Sequence, residues 1–307
     1  MTETVRRSAA DSVIVIGRTA LPVIAPDSSV AGGFEAMLAA SVRTLRNATH
    51  HNDPTRRPET VHRFRVGLRR LRSLLSAFRT ILPNDERRAL GARLGALGKQ
   101  YSRAREWDVF LSSTLRPMAE ALADEPAVLE LEACAREARR RTLPEEVDFA
   151  AIVNDVATAV DVATWLHYPR PEFAELWQRN LKDFAGDLLA KRHRRLRKRL
   201  KAVDLDHQPS FHELRIQVKK TRYPIEMFRN LFDEDAVDNY LDRVIGVQDA
   251  LGHLNDALVA RDLLTDLPLS SRPQGLANGW LAREIAACRD GFPAAAKRLR
   301  KATPFWE

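Results

Sequence analysis

The sequence predicts an all-α protein built as two helical bundles in tandem, and three observations support this. The composition favours helices over sheets, because Gly occurs only 13 times and aromatic residues make up 7% of a chain rich in Ala, Leu and Arg. Several long segments place apolar residues three or four positions apart. A basic motif occurs twice, at 61–79 and 211–229, 150 residues apart. Since 307 residues exceed one typical domain, we expect two similar units.

The predicted elements follow in chain order from periodicity, caps and prolines. Residues 1–27 lack a helical period and are expected to form a flexible lead-in with one short extended segment at 13–16. In the first unit, 28–168, helices are predicted over about 30–48, after a cap at 27–29, and over 59–82, 85–110, 126–141 and 145–166. Pro169 and Pro171 mark the boundary. In the second unit, 169–307, helices are predicted over 173–203, 211–229, 235–264 and 275–302.

The repeated motif separates an apolar face from a basic stripe. Each helical residue advances about 100° around the axis, so every third or fourth residue shares a face. The face expected to enter a core consists of Phe64, Leu68, Leu71, Leu75 and Phe78, matched by Leu214, Val218, Ile225 and Phe228. The stripe consists of His62, Arg65, Arg69 and Arg72, matched by His212, Arg215, Lys219 and Arg222. Because stacked like charges repel, a stripe built twice predicts a bound anion.

Further positions recur in register. Arg70 matches Lys220, and Arg79 matches Arg229. A second block, at 97–110 and 245–258, places Asp108 on Asp256. Pro224 interrupts the symmetry, because a proline inside a helix removes a backbone donor and predicts a kink before Arg229.

The charge distribution narrows the classes of partner. Lys and Arg number 49 against 41 Asp and Glu, giving a net charge of +8, and the basic residues gather around the repeats and at 191–201. A segregated basic surface attracts polyanions, which leaves nucleic acid, an anionic membrane and inorganic polyphosphate as candidates. The apolar run at 13–16 is too short for a signal peptide or a membrane span, so we expect a cytoplasmic protein without membrane association. The cysteines and histidines lack zinc-site spacing, so no metal or other cofactor is predicted.

These motifs resemble the CHAD family, the conserved histidine α-helical domain. The family pattern H-x-x-R-x-x-x-[RK]-[RK]-x-R is matched at 62–72 and at 212–222, and its second element at 105–108 and 254–256. The resemblance covers about 28–303. It implies a pair of four-helix bundles related by a pseudo-twofold axis, whose motif helices line a basic groove that binds inorganic polyphosphate, and an association with polyphosphate granules. The triphosphatase domain fused to some members has no counterpart in this sequence.

The predicted function is non-enzymatic binding of polyphosphate, with no catalytic residue. A phosphate chain offers anionic oxygens and no bases, and the planar guanidinium of Arg donates two hydrogen bonds to one phosphate. Asp108 and Asp256 are predicted to hold the basic stripe in place. The predicted polyphosphate-binding residues are His62, Arg65, Arg69, Arg70, Arg72, Arg79, Arg194, Arg197, Lys201, His212, Arg215, Lys219, Lys220, Arg222 and Arg229.

Two other classes of function stay open at this point. A nucleic-acid-binding or acidic-protein-binding adaptor ranks second, because the stripe lacks aromatic residues for base stacking and the chain lacks a reader motif. A metal-dependent phosphohydrolase accessory ranks last, because the repeats contain no carboxylate cluster: Glu226 has Ser76 as its counterpart. The structural alternative for each arginine is pairing with a carboxylate between helices. Oligomeric state is not indicated by the sequence.

Overall fold

The computed structural model describes residues 5–8, 13–16, 19–22, 24–48, 57–123, 125–142 and 147–306. The protein is all-α, as predicted, apart from a small antiparallel sheet near its N-terminus. Three strands, Val5–Ser8 (β1), Val13–Ile16 (β2) and Thr19–Pro22 (β3), pair in that order. The extended segment predicted at 13–16 is therefore confirmed as β2, while β1 and β3 had no signal in the sequence.

The first half of the described chain contains α1 to α8. Ser29 caps α1, as predicted, by accepting a hydrogen bond from the Gly32 amide at 3.2 Å. A π-helical turn, Phe110–Leu115, joins α4 to α5. The helices are Val30–Asn47 (α1), Arg57–Ala77 (α2), Asn84–Gln100 (α3), Ser102–Val109 (α4), Arg116–Ala121 (α5), Pro126–Arg141 (α6), Phe149–Asp161 (α7) and Thr164–His167 (α8).

The second half contains α9 to α13. A 3₁₀ turn, Pro171–Phe173, precedes α9, and another, Arg229–Leu231, follows α11. The helices are Ala174–Gln178 (α9), Leu181–Ala202 (α10), Gln208–Phe228 (α11), Glu234–Leu264 (α12) and Ser271–Arg300 (α13). The helix α11 runs without interruption through Pro224, which is buried. Among the described residues, no single helix has both the length and the apolar composition of a membrane span, although the bent pair Phe149–Asp161 with Thr164–Gln178 passes on length and composition alone.

The helix predicted over 85–110 is wrong as one element, because the chain breaks at Tyr101. The Tyr101 ring is 3% exposed and packs edge-on against Phe64 at 5.6 Å between centroids, and against Phe149 at 5.1 Å. Tyr101 leaves helical geometry with φ −102° and ψ 15°. The matching part of the second half, α12, is a continuous helix of 31 residues. The break therefore follows from the packing of one aromatic side chain.

The apolar faces predicted for the motif helices are confirmed. All nine predicted side chains of α2 and α11 are at most 2% exposed. The two helices contact each other, and the Phe78 and Phe228 rings lie 5.8 Å apart between centroids. Gly67 lets α1 approach α2, because a Cβ at that position would lie 2.7 Å from a Leu45 methyl carbon. The motif helices are thus fixed on one side by the core, which directs their basic stripes to the other side.

The hydrophobic core consists of two clusters that do not divide the chain at residue 168. One cluster combines α1, α2, α3 and α7 with α9, the first part of α10 and the end of α11. The other combines α4, α5 and α6 with the rest of α10 and α11, α12 and α13. Leu189 of α10 belongs to the second cluster, whereas Phe184 of the same helix belongs to the first. Each predicted unit therefore shares its apolar core with the other.

Candidate anion-binding site

Two adjoining compartments lie between α2 and α11, and together they form the trough. The mixed compartment, about 430 Å³, combines basic and acidic side chains, whereas the basic compartment, about 580 Å³, contains no carboxylate among its described lining residues. The two share Arg69, Lys219 and Tyr223, which we call the waist. The charged and histidine side chains of the mixed compartment are His62, Arg65, Arg69, Arg105, Glu106, Arg215, Lys219, Asp249, His253 and Asp256. Those of the basic compartment are Arg69, Arg72, Arg87, Arg88, Arg192, Lys219 and Lys220.

The waist joins the two motif helices through cations and one aromatic ring. The Arg69 guanidinium carbon lies 5.4 Å from the centroid of the Tyr223 ring, within the range of a cation–π contact. Burial, and then the charges of Arg215 and Arg69, lower the pKa of Lys219 from 10.5 to about 8 against the opposing effect of Asp256. An ammonium group with this pKa is poorly stabilised by its protein surroundings, so a bound anion would favour its charged form.

The mixed compartment holds its arginines with backbone and carboxylate groups. The Arg65 guanidinium donates to the Gly98 carbonyl and, at 2.8 Å, to the Ser102 hydroxyl. Both acceptors flank the break between α3 and α4, so the break that Tyr101 produces also positions Arg65. Burial lowers the pKa of Arg215, and Asp256 opposes that shift. Asp256 thus lies close enough to Arg215 for its charge to act on that guanidinium.

The basic compartment contains a buried arginine with no carboxylate partner in the described chain. Arg192 of α10 is 4% exposed. Its Nη2 donates to the Ser76 hydroxyl at 3.2 Å and carbonyl at 3.4 Å, while its Nε finds no acceptor within the described residues. Burial, and then the charges of Arg79 and Arg195, lower the Arg192 pKa to about 10. A buried cation without a counter-ion is unfavourable unless an anion accompanies it.

Cations crowd around Arg192 from three further helices. Burial lowers the pKa of Lys220 on α11, and Arg192 and Arg79 lower it further. Burial also lowers the pKa of Arg87 on α3, whose Nε has no acceptor in the described part of the chain. Gly95 of α3 leaves room for the Arg72 guanidinium, because a Cβ at position 95 would lie 3.2 Å from the guanidinium carbon. The compartment is therefore a concentrated positive field open to an anion.

The structure brings about half of the predicted binding residues together. Arg79 lies beside the basic compartment, where its charge lowers the pKa values of Arg87, Arg192 and Lys220. The predicted residues that line the trough itself are His62, Arg65, Arg69, Arg72, Arg215, Lys219 and Lys220.

Three predicted binding residues serve the fold instead. Arg222 donates from Nε to Glu226 at 2.5 Å, and both side chains are largely buried. Arg229 is 4% exposed and pairs with Asp238 at 2.8 Å. Arg70 lines a small cavity beneath α1, where burial lowers its pKa and Glu226 opposes the shift. Arg222 and Arg229 are thus already paired with a carboxylate, and Arg70 lies near the same Glu226 outside the trough lining.

The predictions for α10, for His212 and for Asp108 also need correction. The exposed side chains of Arg194, Arg197 and Lys201 are not among the residues that line either compartment, and neither is exposed His212. Asp108 accepts from Arg139 of α6 at 2.6 Å, away from the motif arginines. The side of α10 that faces the trough is that of Arg192, since one helical residue changes the direction by about 100°.

Sequence reasoning missed three cations and one aromatic ring. Arg192 stands in the apolar stripe of α10 between Leu189 and Leu196, and a cation at such a position is the signal that identifies it. Arg87 and Arg88 lie on α3, outside the repeated motif. Tyr223 lies at the waist, so the basic stripe does contain an aromatic ring, although Arg69 covers it.

The site has the chemistry of an anion receptor. Among the described residues, no group of three or more His, Cys, Asp or Glu side chains is placed to hold a metal ion. The trough offers guanidinium and ammonium donors in a row, which suits a ligand with several closely spaced anionic oxygens.

Comparisons with known proteins place this arrangement in a family. The crystal structure of the CHAD domain from the plant Ricinus communis superposes with a TM-score of 0.74 at 26% identity, covering 92% of this chain and 96% of that one. PptA from Streptomyces chartreusis shares the fold, with a TM-score of 0.60 at 15% identity, covering 88% of this chain and 100% of that one. No curated protein matches the sequence. The CHAD domain profile matches residues 36–265, and the chain therefore belongs to the CHAD domain family.

Proposed function

We propose that the trough binds inorganic polyphosphate and that the protein acts as a binding module without turnover. The observation that carries this proposal is the basic compartment, where seven Lys and Arg side chains meet and the described lining contains no carboxylate. Cations that the fold does not neutralise leave an external anion as their counter-ion. Membership of the CHAD family supports the same reading.

The shape of the site favours a phosphate chain over a nucleic acid. A duplex presents its phosphates on a convex surface, along the rims of grooves about 12 Å and about 6 Å wide. The trough is instead a concave site lined by α2 and α11 together with α3, α4, α10 and α12, with compartments of about 430 and 580 Å³. Its aromatic ring, Tyr223, is already covered by Arg69, so it is a poor platform for a base. A narrow chain of phosphates without bases fits both features.

A double charge reversal in the trough tests the proposal. Arg69 and Lys220 line the trough from α2 and α11, and neither forms a hydrogen bond or ion pair with a carboxylate in the described chain. Each phosphate contact with a charged donor contributes about 1.5 kcal/mol, so Arg69→Glu with Lys220→Glu should lower affinity by about 100-fold or more. Circular dichroism should show unchanged helicity. Arg222 is unsuitable for this test, because a glutamate there would face Glu226.

The matched control reverses two charges on the exposed side of α10. Arg194→Glu with Lys201→Glu changes the net charge equally but lies outside the trough lining. We expect this control to lower affinity by less than about tenfold, through the long-range field alone. Equal losses in the two double variants would show that net charge, and not the trough, binds polyphosphate.

Two further measurements separate the alternative functions. At equal salt, long-chain polyphosphate should displace the protein from duplex DNA, and tighter retention on DNA would favour the nucleic-acid adaptor. Incubation of polyphosphate with the protein and magnesium or manganese should release no orthophosphate. Release that Arg65→Ala with Arg215→Ala abolishes would overturn the binding-only proposal. In cells, a fluorescent fusion should localise to polyphosphate granules and become diffuse in the trough variant.

A further inference from the structure

The two compartments of the trough differ in net charge, so the two ends of the trough are not equivalent. Three carboxylates, Glu106, Asp249 and Asp256, line the mixed compartment beside its cations. The basic compartment has none among its described lining residues. The excess of positive charge is therefore concentrated on one side of the waist.

Within the basic compartment, two buried guanidinium N–H groups lack a hydrogen-bond acceptor in the described chain. The Nε atoms of Arg192 and Arg87 are buried without an acceptor in the described chain. Arg192 itself is 96% buried, since only 4% of it is exposed, and its Nη2 reaches nothing stronger than the Ser76 hydroxyl and carbonyl. Buried guanidinium donors are rarely left unpaired in folded proteins. The fold thus retains an unfavourable group at a position that an anion can reach.

Within the described residues, the charged groups that shift the pKa of Arg192 are all cations. Burial has the largest effect on its pKa, followed by Arg79, in the turn after α2, and Arg195 of α10. Lys220 of α11 and Arg87 of α3 complete the surroundings. Three helices and the turn after α2 thus direct cations at one volume, which fits an anion of more than one charge.

A linear polyphosphate carries two kinds of phosphate. An interior phosphate has one ionised oxygen, whereas a terminal phosphate has three non-bridging oxygens and a second ionisation with a pKa of about 6, as in phosphate monoesters. A terminal group therefore has nearly two charges at neutral pH and more acceptors. We infer that the basic compartment, around Arg192, is a subsite for the doubly charged terminal phosphate of the chain, while the mixed compartment holds interior phosphates. This inference rests on the proposed function and adds that chains are bound by their ends.

Linear tripolyphosphate and cyclic trimetaphosphate form a matched pair of probes. Both contain three phosphates, but the ring has no terminal group. Arg192→Gln removes one buried cation, and should lower affinity for tripolyphosphate by about tenfold or more while lowering affinity for trimetaphosphate by less than about threefold. Arg194→Gln, two residues away and exposed, removes the same charge and should lower both affinities by less than about twofold. Titration calorimetry at constant ionic strength measures all of these.

A second variant keeps the test decisive if Arg192→Gln alters the fold. Lys220→Gln lies in the same compartment on another helix and should also reduce the preference for the linear probe. Arg192→Lys restores the charge and should recover part of the preference. Equal losses for the linear and cyclic probes in the Arg192 and Lys220 variants would overturn the inference. In that case the proposed function would still stand if long-chain polyphosphate binds the wild-type protein and fails to bind the variant Arg69→Glu with Lys220→Glu.

Discussion

Lys219 should make polyphosphate binding depend on pH near neutrality. Its pKa is lowered from 10.5 to about 8, first by burial and then by Arg215 and Arg69. In the free protein the ammonium group therefore loses its proton as the pH rises through about 8. A bound phosphate chain stabilises the ammonium form, so binding above that pH must take up a proton and becomes weaker. Lys219→Arg keeps its charge throughout and removes this step.

The size of the effect follows from the fraction of neutral Lys219. With a pKa of about 8 in the free protein, that fraction rises from about one in eleven at pH 7 to about ten in eleven at pH 9. Affinity should then fall by about tenfold across this range if the bound state stays protonated. Solvent at the open side of the trough screens the site, so the expected fall is between about threefold and tenfold.

Fluorescence anisotropy with labelled polyphosphate at constant ionic strength measures this dependence. Wild type should weaken between pH 7 and 9, whereas Lys219→Arg should change by less than about twofold. Ionisation of the ligand cancels, because both proteins bind the same chain. Lys201→Arg, on the exposed side of α10, should keep the wild-type slope. A flat wild-type profile, or an equal slope in Lys219→Arg, would refute the reasoning.

Three further predictions concern groups that the structure assigns to the fold. Glu226→Gln should lower the free energy of unfolding, measured by chemical denaturation, by about 3 kcal/mol, because it leaves buried Arg222 without its carboxylate partner. Adding Arg222→Met to this variant should recover most of the lost free energy. Asp108→Asn should destabilise by about 2 kcal/mol through the loss of its charge pairing with Arg139, yet leave polyphosphate affinity unchanged, and an equal loss of binding would return Asp108 to the site. Tyr223→Phe should keep the free energy of unfolding, whereas Tyr223→Leu should lower it by about 1 kcal/mol, because only an aromatic ring attracts the Arg69 guanidinium. Identical thermal unfolding of the two variants would contradict this contact.

The sequence predicted most helices because their signals are local. The apolar period placed the buried faces of α2 and α11, and the bounds of α6, Pro126–Arg141, were predicted without error. Ser29 caps α1 by accepting a hydrogen bond from an amide only three residues further along the chain, so this cap can be predicted from local sequence. The break at Tyr101 depends on Phe64 and Phe149, which lie far from it in the chain, and no local pattern announces it.

The site was predicted only in part, because charge pairing is decided by tertiary contacts. The stripe on α2 is located by helical spacing alone, and Arg65, Arg69 and Arg72 all line the trough. Whether a given arginine is already neutralised depends on its neighbours, as Arg229 with Asp238 shows. Arg192 lies on a helix outside the motif, and only the packing of α10 against α2 reveals that it faces the trough.

The exchange of helices between the two clusters binds the halves of the chain into one cooperative unit. Phe184, from the second half, stacks on Phe78 with 5.1 Å between ring centroids, and the Trp177 indole donates to the Ile81 carbonyl at 2.9 Å. A fragment of 28–168 would expose the surface of α4–α6 that α12 and α13 cover. A half-length chain with this arrangement would be stable only as a pair of copies that lend each other these segments. Fusion of two such copies would turn an intermolecular partnership into an intramolecular one, so that the trough would form independently of protein concentration.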